Sequence, residues 1–293
     1  MGSSNFQQID SVLEKSTAIP SYVCPDCKEP LERFYCSRCR VEFPRIDGVP
    51  RFLSRDPKFE GAETIAEAYD SIYEELSSVW ENQGRTPEFI RYFSSLLDRF
   101  PGTRSLEIGC GEGFLLASRK NGEKFAVDLS IEAIRKARTR AEADFSLALA
   151  ERLPFPGDYF DLVTSVGVME HFLDTGEALN EIRRILKSGG HYVSLVHVHL
   201  TIWERLLMIA SEFLFPRFQP IRLVLWLKKK LKSAIFRNGR KFVEQPIQNR
   251  YTTGSGKAWL ARSGFTVSSV LHSRKYAHLP LVGPWVVIYV AEK

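Results

Sequence analysis

The stretch that most constrains the fold is residues 105–113, an apolar run that ends in an acidic residue and three glycines at alternate positions. Leu106–Ile108 is typical of a buried strand, and Gly109, Gly111 and Gly113 permit a tight turn into a helix because they carry no Cβ. Backbone N–H groups can then approach a bound nucleotide. The stretch predicts a strand–loop–helix unit that binds a nucleotide-like cofactor, with an ordinary tight turn as the alternative.

The spacing of the glycines distinguishes between cofactors. A dinucleotide loop needs Gly-x-Gly-x-x-Gly, but this chain has Phe114 where the third glycine would stand. Glu107 precedes the loop, and its carboxylate would repel a pyrophosphate but suits the positively charged aminobutyrate end of S-adenosylmethionine. Asp128 follows about 20 residues later, where a carboxylate can accept both ribose hydroxyls. The spacing favours S-adenosylmethionine, although Asp128 could instead cap a helix.

Four further stretches follow the loop in order: Ala-Val-Asp-Leu-Ser at 126–130, Ala-Glu-Arg-Leu-Pro-Phe-Pro-Gly-Asp-Tyr-Phe-Asp-Leu-Val at 150–163, Val-Met-Glu-His at 168–171 and Glu-Ile-Arg-Arg-Ile-Leu-Lys-Ser-Gly-Gly at 181–190. With them, the region from about Phe100 to Val196 resembles the class I methyltransferases, especially the branch that modifies quinones and other small molecules. The resemblance implies an α/β fold with a seven-stranded, Rossmann-like sheet that is mostly parallel and whose last strand is antiparallel.

The resemblance also implies an adenine pocket just before Leu-Pro-Phe, at Leu149, Ala150 and Glu151. The family often has Asp where this chain has Leu149, so we expect backbone carbonyls or Glu151 to replace that acceptor of the adenine amine. The predicted cofactor-binding residues are Glu107, Gly109, Gly111, Gly113, Asp128, Leu129, Ala150, Glu151 and Val166.

Four of the five cysteines form two pairs, Cys24-Pro-Asp-Cys27 and Cys36-Ser-Arg-Cys39. Two such turns supply the four thiolates of a closed, tetrahedral, structural zinc site. Disulfides or reduced cysteines without metal are the alternatives. Together with Phe-Pro-Arg-Ile-Asp-Gly-Val-Pro-Arg-Phe-Leu at 43–53, the pairs resemble the small zinc-ribbon proteins that partner translation-linked methyltransferases.

A chain of 293 residues is long enough for one large domain and a small appendage. The predicted parts are an N-terminal arm at 1–19, a zinc ribbon at 20–54, and a methyltransferase domain at 62–293 with an insertion at 198–250. Apolar spacing predicts helices at Ala62–Trp80 and Pro87–Phe100 that close over the cofactor. Val267–Leu271 and Pro284–Val290 are predicted to be the last two strands, which form an antiparallel hairpin in the resembled family.

The predicted fourth strand, Phe160–Val166, leads into Gly167-Val168-Met169-Glu170-His171 at the carboxyl edge of the sheet, where open α/β sheets bind ligands. Methyl transfer requires alignment of the acceptor and, for a hydroxyl or acidic carbon, removal of its proton. His171 is the candidate base. Its alternative is a structural role beneath the following helix, and Glu170 is expected to orient a neighbour.

The insertion contains two apolar stripes at helical spacing, Thr201–Phe215 and Ile221–Phe236. Charged residues interrupt both stripes, so neither predicts a membrane span. The second ends in a group of lysines, Lys228, Lys229, Lys230 and Lys232. A basic amphipathic helix of this kind can contact an anionic membrane through residues 201–236 and receive a lipophilic substrate from it, or the two helices form a lid packed on the core.

Three functions are consistent with these features. The first is O- or C-methylation of a small, lipophilic acceptor; the second is RNA methylation in which the ribbon and the lysines grip phosphates; the third is a non-catalytic scaffold that binds the cofactor. A net charge of +5 does not demand nucleic acid, and no Asn-Pro-Pro-Tyr-like motif follows the fourth strand. The chain begins without a signal peptide pattern, which predicts a cytoplasmic location. The acceptor atom and the oligomeric state stay open.

Overall fold

The computed structural model describes residues 22–76, 78, 87–100, 102–120, 122–199, 203, 245–272 and 285–293. The arm at 1–19 lies outside this described part of the chain. So do the two helices predicted within 201–236 and their lysines, apart from the isolated Trp203.

The described strands form one large sheet and one two-stranded ribbon. In chain order they are β1 (Tyr35–Cys36), β2 (Val41–Glu42), β3 (Arg45–Ile46), β4 (Val49–Phe52), β5 (Arg104–Ile108), β6 (Glu123–Asp128), β7 (Asp144–Ala148), β8 (Phe160–Val166), β9 (Leu186–Val198), β10 (Thr266–His272) and β11 (Trp285–Glu292). The large sheet has the order β10-β11-β9-β8-β5-β6-β7-β4-β3. β1 and β2 pair separately, with Cys36 at the end of β1 and Cys39 in the turn between the two strands.

The described α-helices are α1 (Ala62–Glu75), α2 (Pro87–Leu97), α3 (Phe114–Ser118), α4 (Ile131–Arg138), α5 (Thr175–Ile185) and α6 (Thr253–Arg262). Short 3-10 turns lie at Pro57–Phe59, Ala150–Arg152 and Met169–His171. The first two helices begin where the apolar spacing predicts and end earlier than predicted. None of the helices in the described ranges is both long enough and apolar enough to cross a membrane.

The centre of the sheet is parallel, and its strands are apolar along nearly their whole length because helices cover both faces. In β5 and β8 the buried side chains include Leu106, Ile108, Leu162 and Val163. β5 pairs with β6 on one side and β8 on the other, so the strand order reverses at β5. This reversal opens a crevice at the carboxyl ends of the strands, which is where such sheets bind ligands.

The strand count corrects the prediction: the large sheet of the described residues has nine strands rather than seven. The additional strands are β3 and β4, which lie within the predicted ribbon. β4 pairs in parallel with β7, with Arg51 opposite Leu147 and Phe52 opposite Ala148. Phe52 is fully buried, 4.7 Å from the Tyr22 ring and 5.4 Å from the Phe43 ring between centroids. Burial of this aromatic cluster explains why the segment joins the sheet and covers the edge of β7.

The other edge of the sheet confirms the predicted hairpin. β10 pairs antiparallel with β11, and β11 pairs antiparallel with β9 along its whole length, from Trp285 opposite Val198 to Glu292 opposite His191. The last strand of the chain therefore runs antiparallel to the centre of the sheet, as the fold class requires. At the opposite edge β3 is antiparallel to β4 as well.

Candidate active site and cysteine cluster

A cleft opens at the carboxyl ends of β5, β6, β7 and β8. One side consists of strand ends and the loops that follow them. The opposite side, which we call the cover, consists of α1 and residues 245–251; Ile65, Tyr69, Ile72, Tyr73, Gln245 and Ile247 line the cleft from it. The space between the two sides is about 1020 Å³ when the part open to solvent is included. A concave site lined mainly by apolar side chains with a few polar groups suits a small-molecule ligand.

The glycine loop after β5 is held to β6 through its backbone. The N–H of Gly109 donates to the carbonyl oxygen of Val127 at 2.8 Å, and the N–H of Gly111 donates to Asp128 Oδ2 at 2.8 Å. Gly111 has a φ of +51°, and a Cβ there would lie 2.9 Å from the hydroxyl of Tyr73. The loop therefore needs glycine both for its conformation and for the close approach of the cover.

Asp128 lies at the end of β6 and organises the floor of the cleft. Its Oδ2 accepts from Gly111 and its Oδ1 accepts from the N–H of Ser130 at 3.0 Å, so each oxygen keeps a lone pair for a ligand. Burial raises the pKa of this carboxyl, and backbone hydrogen bonds from Ser130, Gly111 and Leu129 offset that rise only in part. The N-cap of α4 is Ser130, not Asp128.

An apolar slot, formed by Leu129, Leu149 and Ala150, lies beside Asp128 at the end of β7. Behind the slot, Leu149 is buried in a cluster with Phe59 and Ala62, against which Leu129 packs. Glu151 is also buried, and its Oε1 accepts hydrogen bonds from the N–H groups of Leu173 and Asp174 at 2.7 and 3.1 Å. Burial raises the pKa of the Glu151 carboxyl despite these bonds. Its role in the described structure is to tie the turn after β7 to the loop before α5.

His171 lines the cleft on the other side of the glycine loop, after β8. Its Nδ1 lies 2.6 Å from the carbonyl oxygen of Ile247, and a carbonyl only accepts, so Nδ1 carries the proton. In the neutral ring, the lone pair is then on Nε2. The His171 ring meets the Tyr69 ring edge to face, with 6.4 Å between centroids.

Glu170 contacts β9, where its Oε1 accepts from Nδ1 of His197. Burial alone would raise the pKa of the Glu170 carboxyl, but the hydrogen bond and charge of His197 outweigh it and lower the pKa. The neighbour that this glutamate contacts is thus on the sheet and not in the cleft.

The central part of the chain, residues 106–194, matches the family model described as a methyltransferase domain. The chain contains a methyltransferase domain at these residues. The match begins at β5 and ends within β9, so it covers the glycine loop, Asp128, the apolar slot and His171.

Relatives with assigned names are quinone-modifying enzymes. A demethylmenaquinone methyltransferase from Symbiobacterium thermophilum is 30% identical over 143 residues, which are 45% of this chain and 55% of the relative. A ubiquinone biosynthesis O-methyltransferase from Alkalilimnicola ehrlichii is 30% identical over 129 residues, 39% of this chain and 52% of the relative. The chain thus spans about half the length of the curated relatives it matches.

A solved structure with the same fold is that of an S-adenosylmethionine-dependent methyltransferase from Thermotoga maritima. It is 20% identical, with a TM-score of 0.51, and the match covers 78% of this chain and 99% of that one. At this level of identity the likeness concerns the fold.

Most of the predicted site residues of the methyltransferase domain meet in the cleft. Those that line it are Gly109, Gly111, Asp128, Leu129, Ala150, Glu151, Val166 and His171. Glu107 and Gly113 are not among the described residues that line it. Glu107 is 4% exposed within β5, and Gly113 faces α4, where a Cβ would lie 2.9 Å from the Cα of Ala137. These two belong to the support of the loop.

Sequence reasoning missed the part of the cover that comes from residues 245–251. Ile247 accepts from His171, and the side-chain amide of Asn249 donates to the carbonyl oxygen of Phe172 at 2.6 Å. Tyr251 is buried and its hydroxyl bonds that of Thr175. The segment forms no helix or strand before α6, so its sequence has no helical or strand periodicity from which its position could be predicted.

The four paired cysteines come together from two turns. Cys24 and Cys27 lie in the turn between Val23 and Pro30, and Cys36 and Cys39 lie where β1 turns into β2. The Sγ atoms of Cys24, Cys27, Cys36 and Cys39 all lie within 4.8 Å of one another, and none of them is in a disulfide. Cys24 and Cys39 are 3.9 Å apart and Cys27 and Cys36 are 3.5 Å apart between sulfurs. Sulfurs about 2.3 Å from a tetrahedral zinc ion are about 3.8 Å from each other, so the cluster fits that ion.

Ion pairs link the cysteine turns to the methyltransferase domain. Lys28, between the cysteine pairs, donates to Glu181 Oε2 on α5 at 2.6 Å, and Arg184 binds the same carboxylate. Burial would raise the pKa of Glu181, but these two cations lower it below its usual value. Arg152 similarly connects the turn after β7 to Asp56 at 2.9 Å, directly after the ribbon.

Proposed function

We propose that this protein transfers the methyl group of S-adenosylmethionine to a small, lipophilic acceptor. The observation that carries the proposal is that the glycine loop and Asp128 meet at the reversal of strand order inside a domain of the methyltransferase family. The names of the relatives, which act on quinone precursors, support an acceptor of this chemical class.

The cofactor fits the strand-end side of the cleft. The free lone pairs of Asp128 can accept the two ribose hydroxyls, and the slot formed by Leu129, Leu149 and Ala150 can hold the flat adenine ring. The glycine loop leaves room for the aminobutyrate end next to Gly109 and Gly111. Glu107, in β5 beneath the loop, would attract the positive charge of the aminobutyrate end. Val166, at the end of β8, lines the cleft on the far side of the glycine loop.

The acceptor is assigned to the space between His171 and the cover. Its walls are apolar, with Ile65, Val168, Phe172 and Ile247 facing the cleft. S-adenosylmethionine, when bound, supplies an electrophilic methyl group. The protein's own contribution is to align the acceptor, exclude water, and accept a proton on Nε2 of His171 when the acceptor is a hydroxyl or an acidic carbon.

The cysteine cluster is proposed to hold one structural zinc ion, with Cys24, Cys27, Cys36 and Cys39 as ligands. Four thiolates leave no open coordination position, so the ion would take no part in methyl transfer. Its expected role is to fold the turns that present Lys28 to Glu181 and Phe52 to the edge of the sheet.

The cofactor assignment is tested by replacing Asp128 with Ala and measuring the affinity for S-adenosylhomocysteine by calorimetry. The loss of two charge-assisted hydrogen bonds, partly offset by water, is expected to cost about 2 kcal/mol, or roughly 30-fold in affinity. Asp144→Ala is the matched control, because Asp144 is exposed at the opposite end of β7. Equal affinities of the wild type and the Asp128→Ala protein would overturn the assignment.

The metal assignment is tested by elemental analysis of protein purified without chelator, with one zinc ion per chain as the expected result. Cys36→Ser should lower the zinc content and the melting temperature, since metal binding supplies much of the folding free energy of such small modules. Cys110→Ala, at a buried cysteine outside the cluster, should keep the full zinc content. Protein without zinc, or with zinc retained in Cys36→Ser, would contradict the assignment.

A further inference from the structure

The hydroxyl of Tyr69 is a buried polar group for which the cofactor assignment provides no role. Tyr69 lies on α1 and lines the cleft, and its Oη is inaccessible to solvent yet has no hydrogen-bond partner among the described residues. A buried hydroxyl without a partner costs free energy, commonly about 1–3 kcal/mol, so its presence in a ligand cleft calls for a ligand atom.

The immediate surroundings of that hydroxyl define the kind of atom that could satisfy it. Burial, together with the nearby carboxylates of Asp128 and Glu170, raises the pKa of Tyr69, so its hydroxyl stays protonated and can donate. The His171 ring lies edge to face with the Tyr69 ring, and its Nδ1 is occupied by Ile247, which leaves Nε2 as an acceptor. A donor and an acceptor therefore stand on neighbouring rings of the same cleft.

One functional group satisfies both, namely a hydroxyl. Its oxygen accepts the Tyr69 proton while its own proton points to Nε2 of His171. The side chains around the pair, Ile65, Ile72, Phe172 and Ile247, are apolar and include no cation for an anionic ligand. The site therefore selects an apolar molecule that carries a hydroxyl group, and transfer of its proton to an imidazole favours a hydroxyl on an aromatic ring, which is far more acidic than that of an aliphatic alcohol.

We propose that Tyr69 and His171 together bind the hydroxyl of a hydroxyarene acceptor, with Tyr69 donating to the hydroxyl oxygen and His171 receiving its proton. This inference rests on the proposed function and narrows its acceptor class. In the transfer, the acceptor O–H proton moves to Nε2, and the oxygen forms a bond to the methyl carbon. The carbon–sulfur bond breaks with its electron pair on sulfur, giving a methyl ether and S-adenosylhomocysteine, and the imidazolium then releases the proton to water.

The test compares two probes of similar shape, 1-naphthol and 1-methylnaphthalene, which differ in the hydroxyl. Their affinities are measured by calorimetry or by probe fluorescence in protein saturated with S-adenosylhomocysteine. The wild type should prefer 1-naphthol on the order of tenfold, because the analogue leaves both Tyr69 and His171 without a partner. Tyr69→Phe should reduce that preference severalfold, and Tyr92→Phe, at an exposed tyrosine of α2, should leave it unchanged.

The outcomes separate this inference from the proposed function. If S-adenosylhomocysteine does not bind the wild type, the proposed function fails, and the inference fails with it. If it binds but the wild type shows no preference between the probes, only the inference is overturned, and this comparison needs no variant. The inference is also overturned if Tyr69→Phe weakens S-adenosylhomocysteine binding while the preference for 1-naphthol stays intact, since the hydroxyl then serves the cofactor.

Discussion

The strand-end side of the cleft is held by main-chain hydrogen bonds that belong to the sheet, whereas α1, the helical part of the cover, is held to the rest of the domain by side chains. Gly109 and Gly111 are bonded to the end of β6 through their backbone N–H groups. By contrast, α1 is attached through Asp70, whose Oδ1 accepts from the Ser130 hydroxyl at 2.6 Å and the Glu132 N–H at 3.2 Å. Residues 245–251 lie between these two cases. The side-chain amide of Asn249 donates to Phe172, and main-chain hydrogen bonds join Asn249 to Glu170 and His199 to Tyr251.

This difference assigns different tasks to the two sides. A loop fixed by the sheet already has its binding geometry before the ligand arrives. None of the ligand's binding free energy is then lost to ordering the loop. A helix such as α1, attached by a few side-chain contacts, can open at a cost of only a few hydrogen bonds, which lets ligands enter. Substitutions on the strand-end side should accordingly have larger effects than substitutions on α1.

The largest expected effect comes from Gly113→Val on the strand-end side. Gly113 has a φ of +75°, and a Cβ there would lie 2.9 Å from both the Cα and the Cβ of Ala137. The combined backbone strain and overpacking should lower the free energy of unfolding by about 3 kcal/mol. Denaturant titration measures the free energy of unfolding. The control is Gly61→Ala, before α1, where the new Cβ has open space and stability should change by less than about 1 kcal/mol. Equal losses of stability in the two variants would contradict the difference between the strand-end side and the cover.

A smaller effect is expected from pH, again on the strand-end side. The pKa of Asp128 is raised by burial above its usual 3.8, so the free protein gains a proton there as the pH falls, before an exposed aspartate would. The protonated carboxyl is a poorer acceptor, and the affinity for S-adenosylhomocysteine should fall by about tenfold for a one-unit drop below the raised pKa. Calorimetry over about pH 4–8 follows it. Asp128→Asn should bind weakly but with a flatter profile; parallel profiles would mean that another group titrates.

The smallest expected effect is that of Asp70→Ala on the cover. Loss of the contacts to Ser130 and Glu132 should cost about 1 kcal/mol of stability and reduce cofactor affinity about threefold to fivefold, because the sheet side remains in place. Hydrogen exchange should become faster in α1 but not in β5 or β6. Glu67→Ala, at an exposed site on the same helix, is the control. Faster exchange throughout β5 and β6 would show that the cover is not a separable part.

The same division explains what the sequence could predict. The glycine loop, Asp128 and the cysteine pairs are local patterns in which spacing alone carries the chemistry, and the family resemblance that they support is confirmed. The role of Ile247 depends on a contact with His171 from 76 residues away, and the segment around it has no period to detect. The nine-stranded sheet was missed for a related reason, since two-residue pairing of β4 with β7 leaves almost no signal.

The docking of the cysteine turns on α5 has a consequence for the order in which the chain folds. Lys28 and its partner Glu181 are 153 residues apart, and Asp56 and Arg152 are 96 residues apart. During synthesis the N-terminal segment is complete long before β7 and α5 emerge from the ribosome, so the edge of β4 that pairs with β7 stays unpaired in the meantime. Contacts of such long sequence separation form late and slowly, and exposed strand edges invite aggregation meanwhile. A metal ion bound early to the cysteines would keep this segment compact until the sheet that receives it exists.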